Sequence, residues 1–214
     1  MGKLAAKHQF SAYHKTFLVQ NEPPLPVIRG LRLPLLDPLM FKKILLLVGV
    51  LVLAVLGYAT TQPDAFSLER KISVNAAPEK VFANINDFHA WEAWSPWAKL
   101  DPNMTASYSG PTSGPGAAYA WKGNSDVGEG KMEISGSTPS SSVTIKLDFL
   151  TPFESHNTTV FTLAPTASGT DVTWTMSGPS TFVTKVMTTF VSMDKMIGPD
   201  FERGLQQLKA VSEK

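Results

Sequence analysis

The stretch that decides the fold is residues 69–97, ERKISVNAAPEKVFANINDFHAWEAWSPW, and it begins inside a strand. Around its start, residues 66–74 alternate in character. One face carries Phe66, Leu68, Arg70, Ile72 and Val74, and the other carries Ser67, Glu69, Lys71 and Ser73. This two-residue period predicts a half-buried β-strand.

Two short helices are predicted to follow this strand. Ala77-Pro78 marks the start of the first, because the missing N–H of a proline is not needed in the first helical turn. Asp87 is placed to cap the second, which carries His89 and Trp91, since a carboxylate accepts from the free N–H groups of a first turn.

Three tryptophans end the stretch. Trp91, Trp94 and Trp97 recur every third residue, so their rings can share one side of a short helix that ends at Ser95-Pro96. We interpret the cluster as a packing wedge that closes one end of the domain. A second role as the rim of a pocket is a hypothesis. An interfacial membrane anchor is less favoured, because a longer apolar segment lies upstream.

Beyond Pro102 the two-residue period returns in several runs. Turn-forming stretches lie between or beside them at 110–116, 135–142 and 164–170. Strands joined in this way form an antiparallel meander with one solvated face. The inward faces are Met132 and Ile134; Val143, Ile145, Leu147 and Phe149; Thr159, Phe161 and Leu163; and Val172, Trp174 and Met176.

The last segment changes to helical spacing, with an apolar stripe from Phe182 to Leu208. Gly198-Pro199 interrupts the stripe, which predicts a kink or break there. The element order predicts an α+β fold in which a curved antiparallel sheet wraps around a long C-terminal helix. Because such a sheet does not easily fill its own centre, we expect a cavity that binds small apolar molecules.

An apolar segment precedes this domain. Residues 44–59 carry no charge, the uncharged run continues to Pro63, and Lys42 and Lys43 flank its N-terminal side. Its length is near that of a transmembrane helix, and the positive-inside rule then places the following domain outside the cytoplasm. A cleaved signal peptide, with Gly57-Tyr58-Ala59 as the cleavage site, is the alternative.

The sequence therefore divides into three parts: an N-terminal arm at 1–41, a transmembrane anchor or signal peptide at 42–62, and a folded domain at 63–214. The arm is rich in proline and has no sustained period, so it is not expected to fold alone. It is either a disordered cytoplasmic arm or an untranslated stretch upstream of a true start at Met40.

Composition and motif searches exclude several functions. The 214 residues include no cysteine, which rules out disulfides, thiolate catalysis and Cys-type zinc sites. A formal net charge of +1 gives no electrostatic reason to expect a nucleic-acid partner. No histidine has a partner at metal-ligand spacing, so neither a metal nor another cofactor is expected; the four are His8, His14, His89 and His156.

Residues 69–97, together with MDKMIGPDFERGLQQLK at 193–209, resemble the SRPBCC superfamily. That superfamily has the helix-grip fold shared by START lipid-transfer domains, the birch-pollen allergen (Bet v-like proteins) and polyketide cyclase/dehydrase-like proteins. The nearest group is the membrane-anchored bacterial proteins with a polyketide-cyclase-like domain. The similarity covers about residues 42–211, and Pro199 departs from it.

The resemblance implies a hydrophobic cavity but supplies no catalytic residue set. Asp194 shares the apolar stripe of the last helix, so its carboxylate needs a partner there, and Lys99 is the expected counterion. A catalytic role for Asp194 is the less favoured interpretation. The residues predicted to line the ligand cavity are Trp94, Trp97, Phe149, Phe161, Trp174, Met187, Phe190, Ile197 and Phe201.

Three functions fit these observations. The leading one is a single-pass membrane protein whose domain, on the extracytoplasmic (periplasmic) side, binds a lipid-like or other small hydrophobic ligand. The first alternative is a polyketide cyclase/dehydrase-like enzyme that uses a cavity carboxylate. The second is a protein-interaction domain.

Overall fold

The computed structural model describes residues 37–214, so nearly all of the arm predicted at 1–41 lies outside the described residues. A boundary between two compact units falls at Leu47/Val48, inside the first helix. The helices are α1 (Pro38–Thr60), α2 (Pro78–Asn86), a 3-10 helix (Phe88–Ala93), α3 (Phe182–Thr188) and α4 (Met193–Ser212). The strands are β1 (Ala65–Val74), β2 (Thr105–Ser109), β3 (Ala118–Lys122), β4 (Glu129–Thr138), β5 (Ser142–Thr151), β6 (Ser155–Thr166) and β7 (Gly169–Pro179).

The seven strands form one antiparallel sheet in the order β1-β7-β6-β5-β4-β3-β2. Its inward face packs against α2, the 3-10 helix and α4, with α4 contacting β1 most closely. This arrangement confirms the predicted helix-grip fold. The predicted start of α2 is also confirmed, with Pro78 in its first turn, and Asp87 caps the 3-10 helix by accepting from the backbone N–H of His89 at 2.8 Å.

The two ends of the sheet differ in how tightly they are packed. At the packed end, α2 and the last turns of α4 cover the sheet, and Val81, Ile85, Val143, Val172 and Leu208 are wholly buried. At the other end, which we call the open end, β1 begins opposite the last residue of β7, because Ala65 pairs with Pro179. The β5–β6 turn and the loop between β3 and β4 lie at this same end.

The predicted interruption of the last helix is displaced. The break falls at 189–192, between α3 and α4, and α4 runs through Pro199 without ending. Ser192 caps the new start, since its hydroxyl accepts from the N–H of Lys195 at 3.3 Å. Arg70 of β1 bonds to Asp194 and Glu202, which lie on either side of Pro199 in α4.

Two elements of the sheet were not named from the sequence. Strands β2 and β3 have five residues each, and every residue of β2 is exposed. An edge strand of this kind carries no buried face, so the alternation that predicts the other strands is missing from it.

Helix α1 has 23 residues and is long and apolar enough to cross a membrane. Its bounds, Pro38–Thr60, begin four residues before the segment predicted at 42–62. A signal sequence meets the same criteria of length and composition, so the two alternatives stated from the sequence both remain.

Candidate ligand cavity

A cavity of about 590 Å³ lies at the open end, between the inward face of the sheet, the 3-10 helix and α4. Pockets that hold small molecules measure roughly 300–1,000 Å³, so this volume suits one ligand of ordinary size. Its wall is mainly apolar and aromatic. Among the side chains that line it are Phe66, Trp121, Met132, Leu147, Phe149 and Met176.

One wall is a stack of aromatic rings that joins the sheet to α4. Trp174 of β7 lies face to face with Phe201 of α4, with ring centroids 4.0 Å apart. Trp97 meets both rings edge-on, at 6.0 Å from Trp174 and 6.3 Å from Phe201. Rings in such arrangements add about 0.5–1.5 kcal/mol per pair to what burial alone supplies, so these contacts help to hold α4 against β7.

The tryptophan cluster packs against both the sheet, through Trp174, and α4, through Phe201. A 3-10 helix has three residues per turn, which places Trp91 and Trp94 on one side of it, with ring centroids 4.5 Å apart. Their indole N–H groups donate to the backbone carbonyls of Ile85 and Asn84, each at 2.9 Å. Trp91 and Trp97 line the cavity, whereas Trp94 is wholly buried behind them.

The nine residues predicted to line the cavity fall into three groups. Five lie on its wall: Trp97, Phe149, Trp174, Ile197 and Phe201. Trp94 and Phe161 are wholly buried in the core next to it. Met187 and Phe190 are on the surface, with 40% and 70% of their area exposed, because the break before α4 turns this part of the stripe outward. As ligand contacts, all nine stay predictions.

Two buried polar atoms at the cavity wall have no hydrogen-bond partner among the described residues. They are Oδ1 of Asn157 and the indole nitrogen Nε1 of Trp174. Across the strands, the Asn157 carboxamide lies between Leu147 of β5 and Gly178 of β7, in an otherwise apolar row of side chains. Its amide nitrogen, Nδ2, donates to Ser155 Oγ at 3.1 Å. An unpaired buried polar atom costs roughly 1–3 kcal/mol, so packing alone does not favour Asn157 here.

Gly178 makes room for that carboxamide. A Cβ atom at this position would approach Asn157 Oδ1 to 2.2 Å, far inside contact distance. Any other residue at 178 would therefore displace the Asn157 side chain. Asn157 and Gly178 form a matched pair at the open end of the sheet, which the sequence analysis missed because the pairing depends on the register of β6 and β7.

The most buried carboxylate at the cavity, Asp101, has a structural role. It is 9% exposed and accepts from two backbone N–H groups, those of Asn103 at 2.9 Å and Asn124 at 2.7 Å. Both oxygens are thereby engaged in tying the loop before β2 to the loop after β3. The sequence analysis did not single out Asp101, although an Asp-Pro-Asn turn is a recognisable signal for this type of side-chain to backbone bond.

Two tyrosines on neighbouring strands stand beside the cavity. Burial raises the pKa of Tyr119, and burial with the nearby Glu92 and Asp87 raises the pKa of Tyr108. Both hydroxyl groups are neutral at physiological pH, as at the ordinary pKa of tyrosine, and are therefore able to donate a hydrogen bond. Tyr108 also stacks on the ring of His89, with centroids 4.0 Å apart.

Asp194 is paired with Arg70, not with Lys99 as expected. The Arg70 guanidinium, 23% exposed, donates to Asp194 at 2.6 Å and to Glu202 at 2.8 Å. These two carboxylates raise the pKa of Arg70. Asp194 is 58% exposed and does not line the cavity, because the first turn of α4 directs it to the sheet edge and not into the stripe.

The two histidines of the described part are both exposed. His156 bonds to Asp148 at 2.8 Å on the outer face of the sheet, and this bond raises its pKa. His89 bonds to its own capping residue, Asp87, at 2.9 Å. Within residues 37–214 no group of three or more His, Asp or Glu side chains is placed to hold a metal ion.

A curved antiparallel sheet closed over a C-terminal helix, with an apolar cavity between them, defines the helix-grip class of protein. Residues 65–213 match the family described as Polyketide cyclase / dehydrase and lipid transport, and the chain belongs to that family. The resemblance to the SRPBCC superfamily is thereby confirmed. The family supports a domain that binds a hydrophobic ligand or acts in a cyclase-like way.

Solved structures of the same fold come from several sources. A protein of Chromobacterium violaceum is 17% identical, with a TM-score of 0.50 over 72% of this chain and 99% of its own. The Aha1 dimer from Colwellia psychrerythraea is 16% identical, with a TM-score of 0.50 over 69% and 96%. The di-domain ARO/CYC StfQ from the steffimycin biosynthetic pathway is 13% identical, with a TM-score of 0.50 over 70% and 51%.

At these identities the likeness is one of fold alone. A search of the curated proteins finds no match to this chain.

Proposed function

We propose that the protein is a membrane-tethered binding domain that holds one lipid-like or other small hydrophobic molecule in the cavity between the sheet and α4. The observation that carries this proposal is the 590 Å³ cavity with its mainly apolar wall. Burial of apolar area supplies about 25 cal/mol per Å², so a ligand with an acyl chain gains most of its affinity from such a wall.

The polar groups of the cavity favour binding over catalysis. Asp101 is engaged by two backbone N–H groups, and Asp194 is bonded to Arg70 outside the cavity. The cyclase-like alternative needs a carboxylate that reaches the ligand, and neither of these side chains meets that need. The other two carboxylates of the lining, Glu92 and Asp126, are exposed to solvent. The unpaired Asn157 carboxamide and the Tyr119 hydroxyl are suited instead to orient a ligand that carries one polar group.

Binding is tested with a fluorescent fatty acid, dansyl-undecanoic acid, added to the full chain in detergent and followed by the dansyl emission. Met132 lines the cavity, so Met132→Trp removes space inside it. If the larger ring displaces two methylenes of the probe, at about 0.8 kcal/mol each, the Kd rises by just over tenfold.

Glu133→Trp is the matched control, because Glu133 is the next residue of β4 and is exposed on the other face. We expect it to leave the Kd unchanged. Equal affinity in the wild type and Met132→Trp would place the probe elsewhere, and saturable binding to neither would argue against a ligand-holding cavity.

The proposal also assigns α1 as an uncleaved anchor and places the domain on the extracytoplasmic side. It is supported by the length and apolar character of α1 and by Lys42 and Lys43 near its start. An anchored chain stays in the membrane pellet after washing with alkaline carbonate, and its mass includes α1. Recovery in the supernatant, with a mass that begins after Ala59, would favour the signal-peptide alternative.

Orientation is read with a single reactive thiol. Because the chain has no cysteine, Ser168→Cys, in the exposed β6–β7 turn, gives one site for a membrane-impermeant maleimide. We expect labelling in intact spheroplasts, under conditions in which a cytoplasmic protein is not labelled. Labelling only after lysis would place the domain in the cytoplasm.

A further inference from the structure

An exposed apolar surface lies beside the cavity. It is formed by α3, the segment that joins it to α4 and the first turn of α4. We call it the α3 patch, and its six members have between 39% and 70% of their area exposed: Phe182, Val183, Met187, Phe190, Val191 and Met196. Clusters of exposed apolar side chains on this scale mark an interaction surface.

The patch adjoins the cavity through its inward-facing neighbours. Thr184 of α3, and Met193 and Ile197 at the start of α4, line the cavity, as does Pro179 at the end of β7. Phe153 of the β5–β6 turn, 55% exposed, lies at the same end of the sheet. A ligand that enters at the open end therefore passes beside the patch.

Charge is sparse on α3 and the segment that follows it, and the exposed Asp194 and Lys195 stand next to Met196 at the border of the patch. Residues 179–193 contain one charged side chain, Lys185, which is 12% exposed because it is bonded to Asp64. The other polar residues of the segment are serines and threonines. A surface that meets a protein partner usually carries a polar or charged rim, whereas apolar side chains interspersed with hydroxyl groups suit the boundary between lipid acyl chains and headgroups.

The apolar helix α1 joins the domain at this same end. Four residues separate Thr60 from Ala65, the first residue of β1, and an extended chain covers at most about 3.3–3.6 Å per residue, or about 17 Å in all. Asp64 within this connection is fixed to the patch segment: its carboxylate bonds to Lys185 and its carbonyl accepts from the N–H of Ser180. The tether thus ends beside the α3 patch.

We propose that the α3 patch rests on the surface of the lipid bilayer, so that the cavity opens toward the membrane and exchanges its ligand there. This rests on the proposed function, since it takes α1 as the anchor. The short connection keeps the patch within reach of the interface, and insertion of the exposed rings of Phe182 and Phe190 removes apolar area from water. A lipid-like ligand then reaches the cavity without crossing water.

The test uses the full chain reconstituted in phosphatidylcholine vesicles, with a fluorescent label (NBD) on a single introduced cysteine. Phe190→Cys places the label in the patch, and Ser168→Cys places it in the β6–β7 turn at the packed end. Both sites are exposed, so neither change disturbs the core. Quenching is measured with nitroxides carried on the lipid acyl chains.

We expect the label at 190 to be quenched at least threefold more strongly than the label at 168, with its emission shifted to the blue. Equal quenching at the two sites, in chains that float with the vesicles, overturns docking but leaves the tether intact. Self-quenching at 190 that grows with protein density assigns the patch to a second copy and also overturns docking. Chains that do not float overturn the tether, and docking with it.

A second experiment separates the rate of ligand exchange with the membrane from the affinity of the cavity for the ligand. Phe182→Ser changes a residue of the α3 patch that is 51% exposed, does not line the cavity and is not among the predicted ligand contacts. It should slow the transfer of dansyl-undecanoic acid from the protein to vesicles severalfold while leaving its Kd in detergent unchanged. An unchanged transfer rate would contradict a role of the patch in exchange at the membrane.

Discussion

At the scale of single residues, close packing of α4 depends on Gly204. A Cβ atom there would lie 2.9 Å from Cζ3 of Trp174 and 3.1 Å from Cδ of Pro96, and both neighbours are rigid rings. Gly204→Ala should therefore lower the free energy of unfolding by about 1–3 kcal/mol, less the gain of about 0.5–1 kcal/mol that alanine brings to a helix.

Urea unfolding of the full chain in detergent, followed by tryptophan fluorescence, measures this effect. Gln206→Ala is the control, because Gln206 is exposed on the same helix and its replacement should change stability by less than about 0.5 kcal/mol. Equal stability of Gly204→Ala and Gln206→Ala would show that α4 does not sit as close to Trp174 as described.

A second residue-scale prediction concerns pH. The bond to Asp148 raises the pKa of His156 above its ordinary value of 6.5. A raised pKa in the folded state means that the protonated form stabilises the fold. The contribution is complete below pH 6.5 and is lost as the pH rises through the folded-state pKa.

His156→Gln should therefore lower the melting temperature most at acidic pH, with the difference from wild type vanishing in alkaline buffer. Thr158→Gln, at an exposed position of the same strand with no titratable group, should keep the wild-type pH profile. A His156→Gln difference that grows toward alkaline pH would contradict the assigned pair.

Local signals in the sequence were sufficient for much of this detail. The alternation of β1, the proline at the start of α2 and the Asp87 cap each depend on neighbours within a few residues, and each was predicted correctly. The Arg70–Asp194 pair could not be predicted from local signals, because its members are 124 positions apart and meet only through the packing of α4 on β1. Lys99, nearer in sequence, was the wrong partner for the same reason.

At the scale of elements, Arg70 is the tie between the sheet and the C-terminal helix. Its guanidinium spans two turns of α4, from Asp194 to Glu202, and Gly198 leaves space for it, since a Cβ there would approach Arg70 to 2.4 Å. Because Asp194 and Glu202 lie on either side of Pro199, the tie holds both parts of the helix to β1.

Arg70→Gln should lower the melting temperature of the full chain, whereas Lys71→Gln should not, because Lys71 is the exposed neighbour on the outer face of β1. Asp194→Asn should also lower the melting temperature. In the double variant Arg70→Gln/Asp194→Asn, the loss should be smaller than the sum of the two single losses, because both changes break the same pair. An unaltered melting temperature in Asp194→Asn, together with loss of a measured turnover, would instead make Asp194 a catalytic acid.

The element-scale differences from expectation have one physical origin. A helical stripe was read continuously from Phe182 to Leu208, but the Ser192 cap starts a new helix, so the stripe divides into an exposed part on α3 and a buried part on α4. Sequence periodicity does not distinguish an apolar stripe that packs on the core from one that is exposed on the surface of the domain. That division is what produces the α3 patch.

At the scale of the whole molecule, the connection from Thr60 to β1, the α3 patch and the cavity all lie at the open end of the folded domain. The packed end supplies the stable core, with Val81, Ile85 and Leu208 wholly buried. The open end carries features that reduce stability: a cavity and the unpaired Asn157 carboxamide. Stability and the proposed binding function are thus separated along the sheet.

The most direct test of the ligand-holding cavity is to identify what the protein carries. The full chain is purified from its native membrane in mild detergent, and its organic extract is analysed by mass spectrometry beside that of Met132→Trp. We predict about one lipid-like molecule per wild-type chain, enriched over the bulk membrane lipids and depleted in Met132→Trp. An extract that matches the bulk lipids in both proteins would contradict the account.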